Sequence, residues 1–265
     1  MLAAQRQATI IREVSAQGAI RIADLAGSLR VSEVTVRRDI DQLVERGLVD
    51  KVHGGVTVVG FASTTEPTFD RTRQLETESK AAIARSAAAL VQPGQAIALM
   101  GGSTVYALAE SLKDTPNLTV VTNSVPVSDL LARDFGPKWT IVLVGGERTP
   151  TDSLVGAVSV QAFREFNFDI AFMGTHGMEI EGGFSSPNML EAQTNREVMK
   201  NSAETVILAD NTKWGVRGFS SFAALQAADA LVTDSGTSEA ALETLRNHIG
   251  TVIVANTRNN RTENG

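Results

Sequence analysis

The chain has 265 residues, 43% of them hydrophobic, with a formal net charge of −6 and no cysteine. That length holds one small and one larger domain, and the composition is that of an ordinary globular protein. The lack of cysteine excludes disulfides and thiolate metal sites and fits a reducing, cytoplasmic compartment.

His53, His176 and His248 lie too far apart in sequence to suggest a metal-ligand set, so neither a metal nor a cofactor is expected. No apolar run reaches the roughly 18 residues of a membrane span, and the chain enters a mixed helix at once, so no signal peptide is expected. Residues 1–60 carry 8 Lys+Arg against 7 Asp+Glu; residues 61–265 carry 16 against 23. The acidity therefore sits in the second part, and any nucleic-acid contact in the first must use local patches, doubled in a homo-oligomer.

Residues 3–17 form the first expected helix, with Ile10, Ile11 and Val14 on its apolar side. Residues 22–29 form a second, short helix with Ile22, Leu25 and Leu29 inward, and only Arg30 and Val31 separate it from the next. Ser32 is placed to cap that third helix, which runs to Gly47. Val36, Ile40 and Leu43 share one face of it; Val34, Arg38 and Asp41 take the opposite face, with Thr35 and Arg37 at its edges. Two tightly joined helices, the second basic at its start, make a helix-turn-helix that can enter a DNA major groove. The following LVDKVHGGVTVV reads as a β-ribbon wing that carries Lys51 and His53. The DNA-binding candidates are thus Ser32, Val34, Thr35, Arg37, Arg38, Lys51 and His53. A plain alternative has the two arginines on a solvated surface, paired with Asp41 or Glu45.

Residues 58–72, with Gly60, Ser63 and Pro67, read as a linker. A helix is expected from about Arg71 to Val91, ending before Pro93-Gly94. The pattern then alternates: strands at 95–100, 118–121, 140–144, 168–173, 205–209, 230–233 and 251–254, with helices between them. The expected organisation is a winged helix-turn-helix domain at 1–57, the linker, an α/β effector domain at 73–255 and a polar tail at 256–265. Short apolar strands alternating with helices imply a doubly wound, mostly parallel sheet. Such sheets bind ligands at the carboxyl ends of their strands. Small polar clusters fall there: Gly101-Gly102-Ser103-Thr104 after the first strand, Thr122-Asn123-Ser124 after the second, Gly145-Gly146 after the third and the GTHG with His176 after the fourth. A glycine-rich turn into a helix N-terminus suits a phosphate, although such turns also serve only to cap helices. Lys213, then Arg148, are the expected cations; Asp152, Glu191 and Asp210 are candidates for sugar hydroxyls, or for loop caps and surface ion pairs.

The run IADLAGSLRVSEVTVRRDIDQLVERGLVDKVHGG resembles the helix-turn-helix of the DeoR family of bacterial transcription repressors. Lys51 stands where that family usually has Arg, which keeps the charge and loses the bidentate fork. Residues 66–234 are similar to the effector domain of the same family, through EPTFDRTR, VTNSVPVSDLL, VLVGG, SLVGAVS, FDIAFMG, GGFSSPNMLEAQTNREVM, ADNTKWG and LVTD. The resemblance implies a fold like that of ribose-5-phosphate isomerase, a phosphorylated sugar as effector, GGST as its phosphate loop with Lys213 near it, and a dimer or tetramer on operator DNA. Met100 replaces an Asp common in the family before the glycine loop, which counts against isomerase chemistry. The expected function is a non-enzymatic repressor of a carbohydrate-catabolism operon, released by a sugar or sugar-alcohol phosphate. The alternative is an isomerase-like enzyme with a DNA-binding head.

Overall fold

The computed structural model describes residues 2–17, 19–46, 48–52, 55–57, 66–135 and 138–257. The chain divides into two compact units, Met1–Thr65 and Glu66–Gly265.

In the first unit, helices α1 (Ala3–Gln17), α2 (Ile22–Leu29) and α3 (Glu33–Glu45) pack with strands β1 (Ala19–Arg21), β2 (Asp50–Val52) and β3 (Gly55–Thr57), in the antiparallel order β1-β3-β2. Ile10, Val14, Leu25, Leu29, Val36, Ile40 and Leu43 close the helical core, with Ile20, Val49 and Val56 sealing it from the sheet side. Burial of each large side chain contributes about 1.5–3 kcal/mol. The turn between α2 and α3 is tight because Arg30 takes the left-handed conformation (φ 54°), and Val31 N–H closes back on the Ala26 carbonyl at 3.1 Å. Strand β1 was not expected; three residues are too few to show an alternating pattern. Gly47, His53 and Gly54 lie outside the described residues.

The second unit begins with α4 (Phe69–Gln74) and α5 (Thr77–Ala88). The single helix expected over 71–91 is therefore broken, at Leu75 and Glu76, and Glu76 sits at φ 50°. Residues 66–72, read as linker from their composition and as effector domain from the EPTFDRTR resemblance, belong to this unit, where Phe69 is buried against Tyr106. The central sheet comprises β4 (Ala96–Leu99), β5 (Thr119–Thr122), β6 (Thr140–Leu143), β9 (Phe168–Gly174), β12 (Ser202–Leu208), β14 (Ala230–Asp234) and β15 (Thr251–Ala255). All its pairings are parallel, in the order β15-β14-β12-β9-β4-β5-β6.

Both faces of the sheet are covered, so its strand residues alternate between two cores rather than between core and water. Ile97, Leu99, Val120, Phe172 and Val206 share one core with Ile83, Ala87, Val105 and Leu108 of α5 and α6 (Ser103–Ser111), and with Val127 and Leu131 of α7 (Val125–Phe135). Ala98, Met100, Val121, Ala171 and Ile207 share the other with Phe163, Ala192, Val198 and Leu245 of α8 (Ala157–Phe163), α9 (Met189–Lys200) and α10 (Glu239–Arg246). A hairpin of β7 (Glu147–Arg148) and β8 (Leu154–Val155) and an antiparallel sheet of β10 (Gly177–Glu179), β11 (Gly183–Ser186) and β13 (Ser220–Ala223) complete the unit. These short strands were not expected, because β10 and β11 are almost wholly buried and carry glycine and serine in place of an alternating apolar pattern.

Strand order decides where a crevice opens. From β4 the chain winds outward through β5 and β6, then returns to place β9 on the other side of β4 and winds the opposite way. The reversal lies between β4 and β9, and the carboxyl ends beside such a reversal leave a crevice that loops do not fill.

Candidate nucleic-acid interface and ligand site

In the first unit, α3 starts where the sequence places it. Ser32 Oγ accepts the Thr35 N–H at 3.2 Å, which caps the helix. Val36, Ile40 and Leu43 face the core, while Val34 is 76% exposed and Arg37 and Arg38 point to solvent. Arg37 pairs with Glu33 at 3.2 Å, one turn earlier, and Lys51 of the wing pairs with Asp41 of α3. The pairings expected of a plain surface, Arg37 or Arg38 with Asp41 or Glu45, are thus not the ones formed by Arg37 and Asp41. His53 falls outside the described residues.

Asp39 escaped the sequence reading. It is 4% exposed and accepts two hydrogen bonds from Arg6 of α1, at 2.7 Å from Nε and 3.2 Å from Nη2. The signal was available: Asp39 sits three residues after Val36 and four before Leu43, inside the apolar stripe, and a carboxylate there requires a partner. Beside it Gln7 Nε2 donates to Gln42 Oε1 at 2.7 Å, and Arg46 donates to Gln7 Oε1 at 3.1 Å. These contacts fix the orientation of α3 on α1.

In the second unit, Gly101 and Gly102 follow β4 after Met100, and Gly102 (φ 130°) precedes Ser103, the first residue of α6. Gly101 N–H donates to Asn123 Oδ1 at 2.9 Å, and a Cβ at Gly101 would lie 1.9 Å from Ser153 Oγ. Asn123 Nδ2 donates to the Leu154 carbonyl at 3.1 Å. Thr122 Oγ1 accepts Ser124 N–H at 3.0 Å, and Ser124 Oγ accepts Val127 N–H at 3.3 Å. The structure therefore brings Gly101, Asn123 and the loop before β8 together at the ends of β4 and β5, with the side chains of Thr122, Asn123 and Ser124 engaged in holding that loop and α7. Met100 is 1% exposed in the core, so the residue before the glycine loop packs where a carboxylate would have needed a partner.

Other candidates fall into separate groups along the same edge of the sheet. Arg148 and Asp152 bind each other at 2.8 Å on the β7–β8 hairpin, with Asp152 at φ 58°. Gly145 follows β6, where a Cβ would meet Val158 at 3.1 Å. His176 N–H donates to the Ser185 carbonyl at 3.1 Å, which ties the loop after β9 to β11. Glu191 accepts the Ser186 hydroxyl; burial, helped by the charge of Glu66, pushes its carboxyl up to about 7 against that hydrogen bond. Asp210 is 1% exposed and accepts both the N–H and the hydroxyl of Thr212, capping the short turn Asn211–Lys213.

Lys80 was also missed. It lies in the first turn of α5, buried, and its ammonium donates to the carbonyls of Thr72 and Leu75 at 2.5 and 2.6 Å. Burial lowers it to about 8, opposed by attraction to Asp210 and reinforced by repulsion from Lys213. A cleft of about 550 Å³ nearby is lined by Glu76, Glu78 and Asp234 among others. Its carboxylates suit no phosphate, and Asp234 is already saturated by Asn211, Gly236 and Ser79. Among the described residues no group of three or more His, Asp and Glu could hold a metal ion, and no helix is long and apolar enough to cross a membrane.

Residues 6–60 match the model of the DeoR-like helix-turn-helix domain, and residues 75–235 match that of the DeoR C terminal sensor domain. The chain belongs to the DeoR family. Among curated relatives, the HTH-type transcriptional regulator GlpR of Haloferax volcanii is 33% identical, over 91% of this chain and 92% of the relative. The lactose phosphotransferase system repressor of Staphylococcus epidermidis is 32% identical over 87% and 91%, and the glycerol-3-phosphate regulon repressor of Escherichia coli is 29% identical over 92% and 96%. Ribose 5-phosphate isomerase A of Methanocaldococcus jannaschii overlays at 22% identity and a TM-score of 0.36, over 51% of this chain and 53% of that one, which supports no argument about the site. This DeoR-family protein is a DNA-binding transcriptional repressor and not an enzyme, which sets aside the isomerase-like alternative.

Proposed function

We propose that this DeoR-family repressor controls a carbohydrate-catabolism operon and leaves its operator when a phosphorylated sugar or sugar alcohol binds at the carboxyl edge of the parallel sheet. The observation that carries this is the position of Gly101-Gly102-Ser103-Thr104: a glycine turn that opens a nine-residue helix, beside the reversal between β4 and β9. The free N–H groups of that first turn and the helix dipole favour an anion. Lys213 and Lys80 supply positive charge on the same edge, and Glu191 and Asp210 offer acceptors for hydroxyls. The names of the lactose and glycerol-3-phosphate repressors point toward sugar and polyol phosphates as the ligand class.

Release is linkage: the ligand prefers one arrangement of the sensor units, and a coupling of about 1–3 kcal/mol changes DNA affinity about 5- to 150-fold. The protein acts as a cytoplasmic homo-oligomer, since a two-fold protein matches a two-fold operator. A thermal-shift panel of triose, pentose and hexose phosphates, each beside its unphosphorylated parent, tests this. A ligand at 100 times Kd adds about 2.7 kcal/mol of stability. One phosphate that stabilises while its parent does not, and a loss of that shift in Lys213→Ala, is the expected result. Stabilisation by parents alone overturns the phosphate assignment.

A further inference from the structure

Glu66 is the first residue of the second unit, where the chain arrives from the DNA-binding unit. Its two carboxylate oxygens have different partners. Oε1 accepts the Thr151 hydroxyl at 2.9 Å, and Oε2 accepts Asn188 Nδ2 at 3.0 Å.

Each partner is itself built into a loop of the ligand site. Thr151 has one hydroxyl proton, and Glu66 takes it, so the 2.8 Å contact between Thr151 and Thr149 must be donated by Thr149. Thr149 Oγ1 in turn accepts Ser153 N–H at 3.2 Å, and Ser153 is the side chain that fills the space below Gly101. On the other side, Asn188 Oδ1 accepts Leu190 N–H at 2.9 Å and Glu191 N–H at 3.2 Å, which caps α9 and sets Glu191 in place. Next to Glu66, Phe69 N–H donates to the Pro150 carbonyl at 3.3 Å. The Phe69 ring meets Tyr106 of α6 edge-on at 5.4 Å, just after the glycine loop.

We infer that Glu66 is a positioning residue of the effector site: it holds the 149–153 loop and the 186–191 turn together, so that the shape of the site depends on where the incoming chain is anchored. The inference rests on the function proposed above and deepens it, because it names the residue through which ligand occupancy reaches the chain that leads to the DNA-binding unit. A charged carboxylate suits this role. It accepts from both loops at once, whereas an amide can accept through one oxygen only.

The test uses the full chain with Glu66→Ala and Glu66→Gln. Hydrogen exchange is followed at the amides of 149–153 and 186–191, with 225–250 as the internal control. Affinity is measured for a duplex that the wild type selects from a random pool, with and without the sugar phosphate that most stabilises the wild type in the panel above. Glu66→Ala is expected to speed exchange in both loops at least tenfold together and to raise the sugar phosphate needed for DNA release at least tenfold. DNA affinity without ligand stays within threefold, and Glu66→Gln falls between. Unchanged exchange in either loop overturns the inference. Weaker ligand binding with unchanged exchange also overturns it, since Glu66 would then touch the ligand directly. A panel with no binder overturns the phosphate assignment alone, and the exchange comparison then decides the role of Glu66 by itself.

Discussion

Arg6 and Asp39 join α1 to α3 through two hydrogen bonds, at 2.7 and 3.2 Å, with the Asp39 side chain 5% and the Arg6 side chain 15% exposed. Loss of Arg6 leaves the buried Asp39 carboxylate without its two donors. Arg6→Ala is expected to destabilise the first unit, read as a lower melting temperature, and to weaken DNA binding. The slope of log affinity against log salt should stay as in the wild type, because Arg6 acts on the helix and not on a phosphate. A slope reduced by about one would place Arg6 on the DNA backbone.

Arg38 presents the opposite case. It points to solvent from the exposed side of α3. Arg38→Ala should leave thermal unfolding unchanged and weaken binding to a selected duplex by about 1–3 kcal/mol, with relaxed preference at one base position. Competition binding against single-base variants of the site reads this out, and an unchanged affinity removes Arg38 from the interface.

Gly101 and Ser153 form a steric pair. A Cβ on Gly101 would fall 1.9 Å from Ser153 Oγ and 3.0 Å from its Cβ. Gly101→Ala should cost about 1–3 kcal/mol of stability in the second unit through overpacking and abolish the thermal shift by ligand. Gly101→Ala combined with Ser153→Gly, which opens the space again, should recover most of the stability. A double variant no better than the single one would mean that the alanine fails for another reason.

Glu191 brings a pH dependence. Its carboxyl rises from 4.5 in an unstrained setting to about 7. The folded state therefore prefers the protonated form, so this contribution is complete below about pH 4.5 and is lost as pH rises toward 7. The loss amounts to about 3 kcal/mol at most. Glu191→Gln should flatten the fall in melting temperature between pH 5 and 7, measured as the difference from wild type. A parallel curve for both proteins would show that Glu191 titrates normally.

Much of this was legible in the sequence for physical reasons. The spacing of Val36, Ile40 and Leu43 and the hydroxyl of Ser32 define α3 by themselves, since both are local. The strands of the parallel sheet show as short apolar runs because helices cover both faces. What stayed hidden depends on contacts far along the chain. Lys80 looks like an ordinary helical lysine until its ammonium is found on the carbonyls of Thr72 and Leu75, the contact that accompanies the break between α4 and α5. Glu66 reads as part of a polar linker until Thr151 and Asn188, 85 and 122 residues away, arrive at its two oxygens. Asp39 was the exception, a charge visible inside an apolar stripe and passed over.

Helix α3 carries counter-ions for the cations around it. Glu33 already occupies Arg37, and Asp41 already occupies Lys51. If α3 enters a DNA groove, a phosphate that engages either cation competes with a carboxylate, which then faces the polyanion. Random DNA, which offers phosphates and little else, would gain little from that exchange. A site that also satisfies Val34 and Arg38 would gain more. The same acids that leave this unit nearly neutral would then lower its hold on bulk DNA and shift the affinity toward base edges.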